Sequence, residues 1–125
     1  MAERPTILVV EDEALIADVV VWQLEEAGFV VVTAASGDEA LALIAGPKTF
    51  DVLFTDIRMP GRTDGWLLAE KAREHYPQLP VIYASGYSPH QAREVSGSVF
   101  LPKPYRAGML LDALTRVGIE LPSAC

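Results

Sequence analysis

Five short apolar runs recur along the chain, each followed by residues that suit a helix. The first run, TILVV (Thr6 to Val10), is apolar and largely β-branched with no polar alternation, which suits a strand covered on both faces. ALIADVVVWQLEEAG follows, with Leu15, Val19 and Trp22 sharing one helical face and Gly28 as its C-terminal stop. FVVVTAA reads as a second strand, and Ser36 caps the helix GDEALALIAG, with Glu39 completing a capping-box pattern. DVLFTD is a third strand, and DGWLLAEKAREHY a third helix that ends at Pro77. PVIYAS is a fourth strand, followed by a short helix over Pro89 to Val95. SVFL is the fifth strand, and YRAGMLLDALTRVG the closing helix.

Strands that alternate with helices need crossover connections, so the expected fold is α/β: a parallel sheet with helices on both faces. In such sheets ligands bind beyond the carboxyl ends of the strands, at the point where strand order reverses. Attention therefore falls on the residues after Val10, Thr55, Ala84 and Leu101.

At 125 residues, half of them hydrophobic, the chain suits one domain with one sizeable core, spanning residues 1–125 with its core over about 5–119. A formal charge of −7 without a Lys/Arg cluster argues against nucleic acid or an anionic membrane as partner. No apolar run is long enough to span a bilayer, and the N-terminus lacks the layout of a signal peptide. The single cysteine, Cys125, fits a reducing, cytoplasmic setting. Neither His75 nor His90 has a Cys or His neighbour at zinc-ligand spacing.

Glu11, Asp12 and Glu13 follow the first strand, and Asp56 ends the third. If the strand order is 2-1-3-4-5, these two strands are neighbours and their acids converge. Crowded carboxylates repel one another unless a cation joins them, and hard oxygen ligands at a hydrated site favour Mg2+. Glu13 is read instead as an acid at a helix N-terminus. Ser85 follows the fourth strand, placing a hydroxyl at the same end of the sheet. After the fifth comes Lys103 in LPKPY, where flanking prolines restrain the backbone and aim the ammonium. A cation site, a nucleophilic Asp56, a hydroxyl and a lysine facing one crevice are the equipment of phosphoryl transfer, with Asp56 becoming an aspartyl phosphate.

In this order the pieces VVEDE (Val9 to Glu13), DIRMPG (Asp56 to Gly61), DG (Asp64, Gly65), ASG (Ala84 to Gly86) and KP (Lys103, Pro104) resemble the receiver domain of two-component response regulators across nearly the whole chain. The resemblance implies a flavodoxin-like three-layer sandwich with a five-stranded parallel sheet in the order 2-1-3-4-5. It implies that Asp56 takes phosphate from a phosphohistidine on a histidine kinase or histidine phosphotransfer protein. Asp12 would bind Mg2+ directly and Glu11 largely through water, with Asp56 and the Arg58 carbonyl completing the ligands. Ser85 stands where the family has the Ser or Thr that follows the phosphoryl group, and Phe100 where it has a switch aromatic. The domain would catalyse only its own phosphorylation and dephosphorylation, and would otherwise be no enzyme. Phosphorylation would shift a conformational equilibrium and change a surface read by a downstream protein target.

Three departures from the family pattern stand out. MPGRTDGW has one residue more between Met-Pro and Asp-Gly than the commonest form. The stretch from Ser85 to Phe100 is short, so the fourth helix is expected to be short or irregular. YASGY (Tyr83 to Tyr87) resembles an aromatic-Ala-Thr/Ser-Gly-x-Tyr motif of some single-domain regulators and hybrid-kinase receivers. Arg58 and Tyr87, each two residues after a site residue, are expected to shield the acyl phosphate and slow its hydrolysis.

A haloacid-dehalogenase-type phosphatase would need a second Asp where Arg58 stands, and an FMN-binding flavodoxin would need a phosphate loop where Glu11 to Glu13 stand. A non-phosphorylated pseudo-receiver would be expected to have lost an acid or the lysine, and all are present. The start MAERPT favours a stand-alone regulator over a receiver domain cut from a hybrid histidine kinase. Met109, Leu110, Ala113, Leu114 and Val117 on the last helix have the spacing of a core face, and equally of a weak homodimer contact.

Overall fold

The continuous apolar runs form a sheet whose central strands are buried on both faces. A computed structural model describes residues 4–86 and 94–122. In chain order the elements are β1 (Thr6–Val10), α1 (Ala14–Glu26), β2 (Val30–Ala34), α2 (Gly37–Ala45), β3 (Val52–Asp56), α3 (Gly65–His75), β4 (Val81–Ser85), β5 (Val99–Pro102) and α4 (Ala107–Arg116). The five strands are all parallel and ordered β2-β1-β3-β4-β5, the expected order. β3 and β4 are buried at every position, as central strands of a doubly covered sheet should be.

Side chains alternate across the sheet and build two cores. Leu8, Val10, Leu53, Val81 and Tyr83 pack with Ala40 and Ile44 of α2 and Leu68 and Ala72 of α3. Ile7, Val9, Val52, Phe54, Ile82 and Leu101 pack with Val20 and Leu24 of α1 and Leu110 and Leu114 of α4. The chain is therefore three layers, with α2 and α3 on one face and α1 and α4 on the other. Among the described residues, no helix is long and apolar enough to cross a membrane.

The helix boundaries follow their caps. Ser36 Oγ accepts from the Glu39 N–H at 3.1 Å, while Glu39 Oε1 reaches back to the Ala35 N–H at 2.9 Å, one residue before the cap. Asp64 Oδ1 accepts from the Leu67 N–H at 2.9 Å to open α3. Gly28 follows α1 with a φ of +98°, the left-handed turn that makes glycine the natural stop there.

Leu15, Val19 and Trp22 do share a face of α1, but it is the outer one, exposed at 80%, 54% and 64%. The sheet receives Ile16, Val20 and Leu24 instead. Apolar residues run round most of α1, so its spacing holds two stripes, and the fit against β1 and β2 selects one. On α4, Leu110, Ala113 and Leu114 face the core and Met109 is left exposed, so that spacing is mainly a core face. Tyr87 and most of the helix expected over Pro89 to Val95 lie outside the described residues; Glu94 and Val95, which are described, are not helical.

Candidate functional site

The strand ends bring the predicted residues to one edge of the sheet. Glu11 directly follows β1, and its N–H donates to the Ala34 carbonyl at 3.1 Å, prolonging the pairing with β2. Asp56 ends β3 two strands away from β2, and both Glu11 and Asp56 are buried to 7% exposure. Asp12 is exposed beside them. Carboxylate oxygens of Glu11, Asp12 and Asp56 lie within 4.8 Å of one another, a cluster of hard oxygen donors able to hold a metal ion.

Lys103 enters from β5. Its N–H donates to the Ser85 carbonyl at 2.9 Å, which fixes the chain beyond the last strand against β4. From there Lys103 Nζ stands 2.6 Å from Asp56 Oδ1 and 3.5 Å from Glu11 Oε1. The Lys103–Pro104 peptide is cis. Ser85 is buried at the end of β4, opposite Pro102 in register. Phe100, half-buried, lies opposite Tyr83 and packs against the core formed with α2 and α3. Arg58, two residues beyond Asp56, is exposed.

Local backbone chemistry holds Asp56 in place. Thr55 Oγ1 donates to the Asp56 carbonyl at 2.8 Å. The Gly65 N–H donates to the Ile57 carbonyl at 2.7 Å, closing the loop after β3 at its base. A β-carbon at Gly65 would stand 2.2 Å from the Asp56 carbonyl oxygen and 2.7 Å from Ile57 Cα, so only glycine allows this approach. Next to it Trp66 packs on Tyr83, with ring centroids 4.7 Å apart.

The site is electrostatically unbalanced. Burial, and then the hydrogen bond and charge of Asp56, push Glu11 up to about 7, against the opposing pull of the Glu13 N–H and Lys103. For Lys103, burial alone would lower the pKa, but the hydrogen bond and charges of Asp56 and Glu11 outweigh it and raise it. Lys103 pairs with two of the three clustered carboxyl groups, Glu11 and Asp56, and the three together form an oxygen donor set that fits a divalent cation.

Sequence reasoning missed Tyr105. Its phenol is raised by burial and then by the charges of Asp56 and Glu11, and its ring meets Phe54 edge-on with centroids 5.8 Å apart. It also missed a cleft of about 650 Å3, where Leu15, Ile16 and Val19 of α1 face Lys103, Pro104 and Tyr105. The excess of apolar residues on α1 was the signal that could have found it.

The description "response regulator receiver domain" fits residues 7–115 of the chain. The transcriptional regulator NtrC of Salmonella typhimurium is 37% identical over 107 residues; the match covers 82% of this chain but only 22% of NtrC. A response regulator receiver protein from Sinorhizobium medicae superposes with a TM-score of 0.84 at 34% identity, covering 92% of this chain and 94% of that one. The receiver domain of the hybrid histidine kinase CckA gives a TM-score of 0.78 at 36% identity, covering 90% and 97%. With its sheet order and the acids and lysine at its strand ends, the chain belongs to the receiver domain family of two-component response regulators.

Proposed function

We propose that Asp56 accepts a phosphoryl group from a phosphohistidine on a histidine kinase or histidine phosphotransfer protein, and that the phosphorylated domain binds a downstream protein target. The observation that carries this reading is the Lys103 ammonium 2.6 Å from Asp56 Oδ1, at the edge of a three-carboxylate cluster. An Asp56 oxygen attacks phosphorus as the phosphorus–nitrogen bond breaks. The bonding pair returns to the imidazole nitrogen, which regains its ring's neutral or protonated form from solvent.

Lys103, already ion-paired with Asp56, follows the charge onto the phosphoryl oxygens, and the Ser85 hydroxyl donates to one of them. Glu11, Asp12 and Asp56, with the Arg58 carbonyl, would hold Mg2+. Bound there, the cation supplies charge neutralisation for the phosphoryl oxygens and keeps the carboxylates ionised. Ser85 moving inward leaves space that Phe100 follows, changing the surface around β4, β5 and α4. Arg58 and Tyr87 shield the acyl phosphate and lengthen its life. The domain catalyses only its own phosphorylation and dephosphorylation, and works in the cytoplasm as a stand-alone regulator.

A second reading, a receiver domain within a hybrid kinase, is favoured by the 36% identity to the CckA receiver. Incubation with acetyl phosphate and Mg2+, followed by intact mass measurement, tests the chemistry. One added phosphate that requires Mg2+ and is lost in Asp56→Asn supports it. No adduct, together with no binding of beryllofluoride, overturns it.

A further inference from the structure

The loop from Arg58 to Asp64 begins one residue after Asp56, beyond Ile57. Its Arg58, Pro60, Gly61 and Arg62 are exposed, and Met59 is half-buried against the core. Thr63 differs, being 4% exposed. Its Oγ1 donates to Asp38 Oδ1 at 2.5 Å, a bond between the loop and the first turn of α2, 25 residues earlier.

Asp38 meets the loop a second time. Gly61 has a φ of +100°, and a β-carbon there would stand 3.3 Å from Asp38 Oδ2. The neighbouring Gly37 lies so close that its β-carbon would stand 2.2 Å from the Thr63 carbonyl oxygen. The Gly65–Ile57 hydrogen bond pins only the base of the loop. Its far side rests on α2.

We infer that Asp38 and Thr63 are positioning residues, through which the first turn of α2 sets the loop after β3 and so the placement of the Arg58 carbonyl beside Asp56. This rests on the proposed function, which assigns that carbonyl to the Mg2+ site. Neither residue touches the reacting atoms. Groups that orient a metal's ligands govern its affinity without contacting it.

The test is Mg2+ binding to the full chain by isothermal titration calorimetry with MgCl2. Thr63→Val keeps the shape and removes the donor, Thr63→Ser keeps the donor, and Asp38→Ala removes the acceptor. Thr63→Val and Asp38→Ala are each expected to weaken Mg2+ binding about 10-fold. Thr63→Ser should stay within about threefold of the parent, and the double variant should be no weaker than either single one. A purely structural bond would lower the melting temperature and leave Mg2+ affinity unchanged, and that result overturns the inference. Asp38 is exposed, so Asp38→Ala decides the matter even where Thr63→Val fails to fold. A parent protein that takes up no Mg2+ overturns the proposed metal site and this inference with it, whereas equal binding in parent and variants overturns the inference alone.

Discussion

β3 has an aspartate at each end, and the two have opposite surroundings. Asp51, just before the strand, is exposed; its Oδ2 accepts from the Thr6 N–H at 2.7 Å, and its own N–H donates to the Thr6 carbonyl at 2.8 Å. Asp56, the last strand residue, is buried beside Glu11 and faces Lys103. Asp51 closes the start of a strand, and water screens its charge. The charge of Asp56 is held in a poorly screened place where it meets an ammonium and a second acid. The same residue type closes the strand at one end and, on the proposed function, takes the phosphoryl group at the other because burial and charged neighbours differ, not because the side chain does.

Substituting each aspartate in turn is the most direct way to break the contrast. Asp56→Asn should abolish the acetyl phosphate adduct, while Asp51→Asn should leave phosphorylation within about twofold of the parent, both read by intact mass over a time course. A parallel loss in both variants would erase the distinction. Next in size is Lys103→Met, which leaves the acids without their cation. It should slow phosphorylation on the order of 100-fold, the scale for removing a preorganised charge at a reacting centre. Stopped aliquots analysed by mass would measure it.

The pH dependence of stability sharpens the comparison. Folded Glu11 keeps its proton up to about pH 7, whereas an unfolded glutamate releases it near 4.5. Between those values the folded state binds more protons, so without Mg2+ stability falls as pH rises through that window, by roughly 1–3 kcal/mol. Glu11→Gln should flatten this slope, and added Mg2+ should counter it by binding the ionised form, as denaturant titrations across the window would reveal. Gly65→Ala tests the backbone beneath the site. Its β-carbon has no room against the Asp56 carbonyl, so a loss of about 1–3 kcal/mol is expected, against little change for Gly108→Ala, where nothing lies within 4 Å. Thermal melts of the two variants compare them directly.

Much of this was legible in the sequence. The strand runs, the Ser36 cap and the glycine after α1 are local signals, and each appears where local chemistry placed it. The acids, Ser85 and Lys103 were legible because a parallel sheet carries every strand's following residue to the same edge. The buried stripe of α1 was not, since a helix apolar on most sides does not announce which side meets the sheet. Nor was the Thr63–Asp38 bond, because it joins a loop to a helix through packing that spacing does not encode. The depth at which Glu11 sits, and so the rise of its pKa, is likewise a product of tertiary burial.

The two tryptophans occupy unlike places. Trp66 is buried against Tyr83 next to the glycine that touches the Asp56 backbone, while Trp22 stands on the open face of α1. The protein thus contains two natural fluorophores of unlike exposure, Trp22 at 64% and Trp66 at 7%. A dissolved neutral quencher such as acrylamide is expected to reach Trp22 before Trp66. The light that remains would come from Trp66, beside Gly65 and the Asp56 backbone, and so offers a dye-free probe of that end of the sheet in the unmodified chain.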